Sequence, residues 1–89
     1  MEYVGRPRAA GRPEHVAIGE RLEHSRVAAG LTQEQLAEMI DISQADVSKL
    51  ERGLAILTAH RARQIAAALR ISTDQLLGGA KFRAQRANG

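Results

Sequence analysis

The chain has 89 residues, a formal net charge of +3, one Tyr, one Phe, no Trp and no Cys. A chain this short builds one small domain, which buries roughly 60% of the surface its unfolded form exposes. The missing cysteines exclude a disulfide frame, a thiolate zinc site and a cysteine nucleophile, and two aromatics are too few for a base-stacking platform on single strands or RNA.

The charge is unevenly placed. Met1 to Pro13 carries +2, Glu14 to Leu77 carries −2 from seven basic and nine acidic residues, and Gly78 to Gly89 carries +3. The basic charge therefore lies in the two tails. No apolar run approaches the length of a signal-peptide core or a membrane span, so the expected location is the cytoplasm.

Residues 1–12 have Gly and Pro punctuation and no apolar period, which predicts a flexible basic arm. Its Arg6, Arg8 and Arg12 are candidates for nonspecific phosphate contacts. A structured domain is expected over residues 13–77. Helix 1 starts near Pro13, a favoured first-turn residue, with Glu14 suited to the positive end of the helix dipole. Its inward face includes Val16, Ile18, Gly19, Leu22 and Arg26, and Gly30 supplies a left-handed stop.

A start signal then repeats four times. In Leu31-Thr32-x-x-Gln35-Leu36, the Thr32 hydroxyl can cap the Gln35 amide while Gln35 reaches back, with the two leucines as a staple. Ile42-Ser43-x-x-Asp46-Val47 and Ile71-Ser72-x-x-Gln75-Leu76 follow the same pattern, Asp46 being a shorter partner. At Thr58 the cap remains but Arg61 replaces the reciprocal acceptor.

These signals predict helix 2 from Gln33 to about Ile40, with Leu36, Ala37 and Ile40 inward, and helix 3 after Ser43. In helix 3, Val47 and Leu50 point inward, while Gln44, Ser48 and Arg52 recur every four residues on the opposite side. Of the apolar link that follows, Leu54 and Leu57 are expected to complete the core and Ile56 to be partly exposed. The alternative is an exposed edge for self-association or a partner. Helix 4 spans Ala59 to Leu69, and a short helix 5 spans Thr73 to Leu77 before Gly78-Gly79. Residues 78–89 read as a flexible basic tail. The fold class is all-α, a compact five-helix domain.

Thr32 to Gly53 resembles the helix-turn-helix of the Cro and lambda-repressor-like, or XRE, family. The resemblance runs from about Ile18 to Leu77, carried by IGERL, Arg26, GLTQEQLAE, SQADVSKLERG, QIAAAL and ISTDQLL in that order and spacing. It implies a helix-turn-helix at helices 2 and 3, with helix 3 entering the DNA major groove. It also implies a structural pair of Arg26 with Glu51, which ties helix 1 to the end of the recognition helix. The chain departs from the family at Asp41 and Arg70, where Gly is common in a left-handed conformation. Asp tolerates that conformation better than most, at a cost on the order of 1 kcal/mol.

The chemistry of helix 3 suits base edges. Gln44, in the first turn, has the amide geometry to bind adenine N6 and N7 bidentately, and the resemblance implies that its position is the one most often used for base contact. Ala45 can pack on a thymine methyl, Ser48 can serve any base, and Lys49 can donate to guanine or a phosphate. Asp46 can accept from cytosine N4, but its expected role is as capping partner of Ser43. Phosphate contacts are expected from Gln33, whose position the resemblance also implies braces Gln44, and from Thr32, Arg52 and Thr58.

No convergent catalytic set is visible. Glu34 and Glu38 share a helix face as ordinary solvated residues, and His15, His24 and His60 form no close ligand pair, so no enzyme, metal, cofactor or small-molecule ligand is expected. The expected function is sequence-specific binding of double-stranded DNA by a small bacterial or phage transcriptional regulator. It is read as a repressor, binding a pseudo-palindromic operator as a homodimer. The alternative is an antitoxin or accessory module that holds a protein partner such as a toxin, with DNA binding secondary.

Overall fold

A computed structural model describes residues 13–78; the basic arm with Arg6, Arg8 and Arg12, and the tail from Gly79 onward, lie outside the described residues. Five helices follow in order: α1 (Pro13–Ala28), α2 (Gln33–Ile40), α3 (Gln44–Glu51), α4 (Ala59–Leu69) and α5 (Thr73–Leu77). The described residues contain no strand. The bounds match the capping signals because each signal is used. Thr32, Ser43, Thr58 and Ser72 are N-caps whose hydroxyls accept from the amides of Gln35, Asp46, Arg61 and Gln75 at 3.0, 3.0, 3.1 and 3.0 Å.

Two of the four are full boxes. The Thr32 amide donates to Gln35 Oε1 at 2.8 Å, and the Ser72 amide donates to Gln75 Oε1 at 2.9 Å. The expected reciprocal role of Asp46 is not taken up: Ser43 caps α3, but the Asp46 side chain makes no return bond. Its carboxyl is one methylene shorter than the amide of Gln35. Arg61 instead turns its guanidinium onto Gln64 Oε1 at 2.7 Å and, at 3.4 Å, onto the Ile40 carbonyl, one of the orphan acceptors at the end of α2. Thr32→Ala is expected to cost about 1 kcal/mol through loss of the cap. In a domain of this size, that lowers the melting temperature by about 4–8 °C, which a thermal melt followed by circular dichroism checks.

Left-handed residues close α2 and α4, as expected. Asp41 has φ 61° and Arg70 has φ 60°, and both are solvent-exposed, so neither position buries a polar side chain. The core is Leu22 of α1; Leu36, Ala37 and Ile40 of α2; Val47 and Leu50 of α3; Ala62, Ile65, Ala66 and Leu69 of α4; and Leu76 of α5. Every helix contributes to it, α1 and α5 by a single leucine each. Leu57 packs against this cluster, but Leu54 does not complete it: Leu54 is 37% and Ile56 70% exposed. The link thus alternates, with Ala55 and Leu57 against the core and Leu54 and Ile56 toward solvent.

Gly19 fixes how α1 meets α3. A methyl group at this position would run into the carbonyl oxygens of Leu50 and Glu51, so the missing side chain lets the end of α3 lie directly on α1. Gly53 does the reciprocal work just beyond α3. It turns at φ 76°, and a methyl there would strike the backbone of Val16 at 2.8 Å. Two glycines on opposite sides of one contact thus set the height of α3 above α1.

Candidate nucleic-acid interface

The close approach at Gly19 brings Glu51, the last residue of α3, beneath Arg26 of α1. Both are buried, at 5% and 9% exposure. Arg26 Nε donates to Glu51 Oε2 at 2.6 Å and Nη2 to Oε1 at 3.2 Å, which is the forked geometry a guanidinium and a carboxylate form best. The third arm, Nη1, donates at 2.7 Å to the carbonyl of Leu31, immediately before the α2 cap. Arg26 therefore ties the end of α3 to the start of α2, as well as to its own helix.

The hydrogen bond with Glu51 raises the Arg26 guanidinium further above its ordinary range, opposed by burial and aided by the charges of Glu51 and Glu23. Because the folded value is the higher one, the stabilisation is complete below the unfolded arginine value and is lost only as pH rises through the folded value. The guanidinium side of the pair is thus indifferent to pH across the physiological range.

Glu51 has a second partner. Gln33, the first residue of α2, donates from Nε2 to Glu51 Oε1 at 2.8 Å, and its Oε1 accepts at 2.5 Å from Nε2 of Gln44. A continuous hydrogen-bonded row thus runs from the buried Arg26 through Glu51 and half-buried Gln33 to exposed Gln44. The structure brings together these four of the expected site residues. The remaining candidates on α3 and its C-cap stay free for solvent or a ligand: Ala45, Lys49 and Arg52 are exposed and Ser48 half-buried. Asp46 is exposed too, with no described partner for its carboxylate.

Thr32 and Thr58 spend their hydroxyl oxygens as acceptors in the caps, which leaves each O–H proton available to an outside acceptor such as a phosphate oxygen. Glu34, Glu38 and Asp41 line a shallow depression together with Gln44. That flank disfavours phosphate, leaving Lys49 and Arg52 as the exposed cations of this helix and its cap. Among the described residues there is no grouping of His, Asp or Glu fit to hold a metal ion, and no helix long and apolar enough to cross a membrane.

The link from Gln33 to Glu51, and the role of Gly19, were not apparent in the sequence. No sequence spacing relates Gln33 to Glu51, because they lie on different helices. Gly19 did carry a signal: glycine inside a helix costs about 1 kcal/mol relative to alanine, so one held there asks for a packing reason.

A family model for the helix-turn-helix matches residues 22–76, more than half of the chain. The chain belongs to the helix-turn-helix family, in its XRE or lambda-repressor-like form. It is 43% identical over 61 residues to the cryptic phage CTXphi transcriptional repressor RstR of Vibrio cholerae, covering 68% of this chain and 54% of that protein. It is 34% identical over 62 residues to the HTH-type transcriptional regulator RP497 of Rickettsia prowazekii, covering 70% and 48%. The chain thus spans about half the length of the curated relatives it matches.

Among solved structures, it is similar to the restriction-modification controller protein C.AhdI from Aeromonas hydrophila, with a TM-score of 0.69 and 33% identity over 71% of this chain and 91% of that one. It is also similar to the clp gene regulator ClgR from Corynebacterium glutamicum, with a TM-score of 0.71 and 29% identity over 86% and 83%. RstR and RP497 are by name transcriptional regulators, and the family is one of regulators rather than enzymes. The family model runs from within α1 to within α5, and its helix-turn-helix is α2 and α3.

Proposed function

We propose that this chain represses transcription by reading a pseudo-palindromic operator in duplex DNA as a homodimer in the cytoplasm, with α3 in the major groove. The observation that carries this reading is Gln44. It stands exposed in the first turn of α3, its amide already held by Gln33, so it meets a base with little orientational freedom left to lose. Ala45, Ser48 and Lys49 supply the remaining base contacts. Thr32, Gln33, Arg52 and Thr58 contact phosphates, and Arg6, Arg8 and Arg12 add salt-dependent contacts from the arm. A dimer of this kind places its two recognition helices about one DNA turn apart, roughly 34 Å.

The test is selection of bound sites from random duplex DNA at two salt concentrations, with Gln44→Ala beside the unaltered chain. A two-fold symmetric motif is expected. The variant should lose about 1–3 kcal/mol on that motif and much less on random DNA. Equal losses on both would remove the base-reading role from Gln44.

A second reading, a module that holds a protein partner such as a toxin, is favoured by one observation. Leu54 and Ile56 expose apolar surface on the link between α3 and α4. A chain that selects no DNA but co-purifies with a partner, and loses it on Ile56→Glu, would put this reading first.

A further inference from the structure

Each member of the row from Arg26 to Gln44 limits what the next can do. A guanidinium only donates hydrogen bonds, and a carboxylate only accepts them. Glu51, forked to Arg26, therefore has only acceptor oxygens to offer Gln33. Gln33 can join it only through its NH2 group, as it does at 2.8 Å. The amide is planar and its two ends differ, so the Gln33 oxygen faces the other way, toward Gln44. Only the NH2 group of Gln44 can meet that oxygen.

One Gln44 N–H is thereby spent. What remains for the groove is Oε1 beside the second N–H: an acceptor next to a donor. That edge complements adenine, which offers an N6 donor beside an N7 acceptor. Were the row reversed, Gln44 would spend its oxygen on Gln33 and present two N–H donors, the complement of the guanine O6 and N7 acceptors.

We propose that Glu51 is a specificity-positioning residue: through Gln33 it sets which edge of the Gln44 amide faces the DNA, and so makes α3 read adenine rather than guanine. The direction is fixed at the buried end of the row, where Glu51 is 5% exposed and Arg26 is held by three hydrogen bonds. Solvent has little access to rearrange it there, while the exposed end does the reading. Glu51 touches no DNA in this scheme and acts entirely through Gln33. The inference rests on α3 being the reading helix, but the row can be examined without DNA.

Two variants separate positioning from folding. Gln33→Ala cuts the row and leaves the Arg26–Glu51 pair intact. Glu51→Gln keeps the shape but reverses the logic. Its oxygen stays with the donor-only Arg26, so its NH2 faces Gln33, which must turn its own oxygen inward and its NH2 toward Gln44.

In the free 89-residue chain, through-hydrogen-bond 15N–13C couplings in NMR should link Gln33 Nε2 to the Glu51 carboxylate and Gln44 Nε2 to the Gln33 side-chain carbonyl. In selection from random duplex DNA, the unaltered chain should prefer adenine over guanine at the position read by Gln44 by roughly tenfold or more. Gln33→Ala should bring that ratio to within about threefold of unity while its melting temperature changes little, and Glu51→Gln should move it toward guanine.

A folded Gln33→Ala that keeps the full adenine preference would overturn the proposal even if Glu51→Gln does not fold. So would couplings in the unaltered chain that run the opposite way. An unaltered chain that shows both couplings but selects no motif would overturn the DNA reading, and the specificity role with it, while leaving the row as a fact of the fold.

Discussion

Arg26→Ala should cost about 3–5 kcal/mol of folding stability, because it leaves the buried Glu51 carboxylate with Gln33 as its remaining partner. A domain of this size has a total of about 5–10 kcal/mol to lose. The melting temperature should therefore fall by about 12–40 °C, and a fraction of the protein should be unfolded at room temperature. The loss measures an orphaned charge rather than the net worth of the pair. Replacing both partners by apolar residues of similar volume, Arg26→Met with Glu51→Leu, should recover most of the stability, since neither charge then has to be desolvated. Thermal melts of the single and double variants check both statements. A single variant within about 1 kcal/mol of the unaltered chain would mean that the carboxylate finds water where the structure shows it buried.

Gly19→Ala should destabilise strongly, against what helix propensity alone says. Propensity favours alanine by about 1 kcal/mol in the middle of α1. The added methyl, however, collides with two backbone carbonyls of α3, which cannot move aside as a flexible side chain can. Overpacking against backbone that must shift lies at or above the upper end of the usual cost, about 3 kcal/mol or more, so after the propensity gain the net effect is a loss of about 2 kcal/mol or more. Function should suffer beyond stability. Lifting α3 off α1 draws Glu51 away from Arg26 and changes the angle at which Gln44 stands. Melting curves together with binding to the selected operator measure the two effects separately. A rise in melting temperature would show that the two helices do not meet as closely as the structure has them.

Both variants act on residues whose importance shows differently in the sequence. Arg26 and Glu51 could be paired in advance only through the resemblance to a family, since 25 residues separate them and no periodicity relates an α1 position to the end of α3. Gly19 was legible as an inward-facing residue but not as the point that sets helix height, because a glycine offers no side chain whose partner could be guessed. Asp46 shows the opposite case. The sequence pattern of a capping box was present, but a side chain one methylene too short left the carboxylate in solvent beside the reading residues. At Leu54, hydropathy suggested burial, but Ala55 and Leu57 are the link residues that pack on the core, which turns Leu54 toward solvent.

The sequence by itself determined the five helices, their starts and stops and most of the core positions, and it put forward the candidate reading residues on α3. These depend on interactions within a few residues: a hydroxyl and an amide three positions apart, a left-handed stop, a period of 3.6. Only the tertiary structure decided that Gln33 joins Glu51, that a buried ion pair lies at one end of a row ending in the exposed Gln44 amide, and that Gly19 sets the spacing. Those facts depend on where separate helices come to lie in space. That is fixed by the fit of the assembled core, not by any local run of residues.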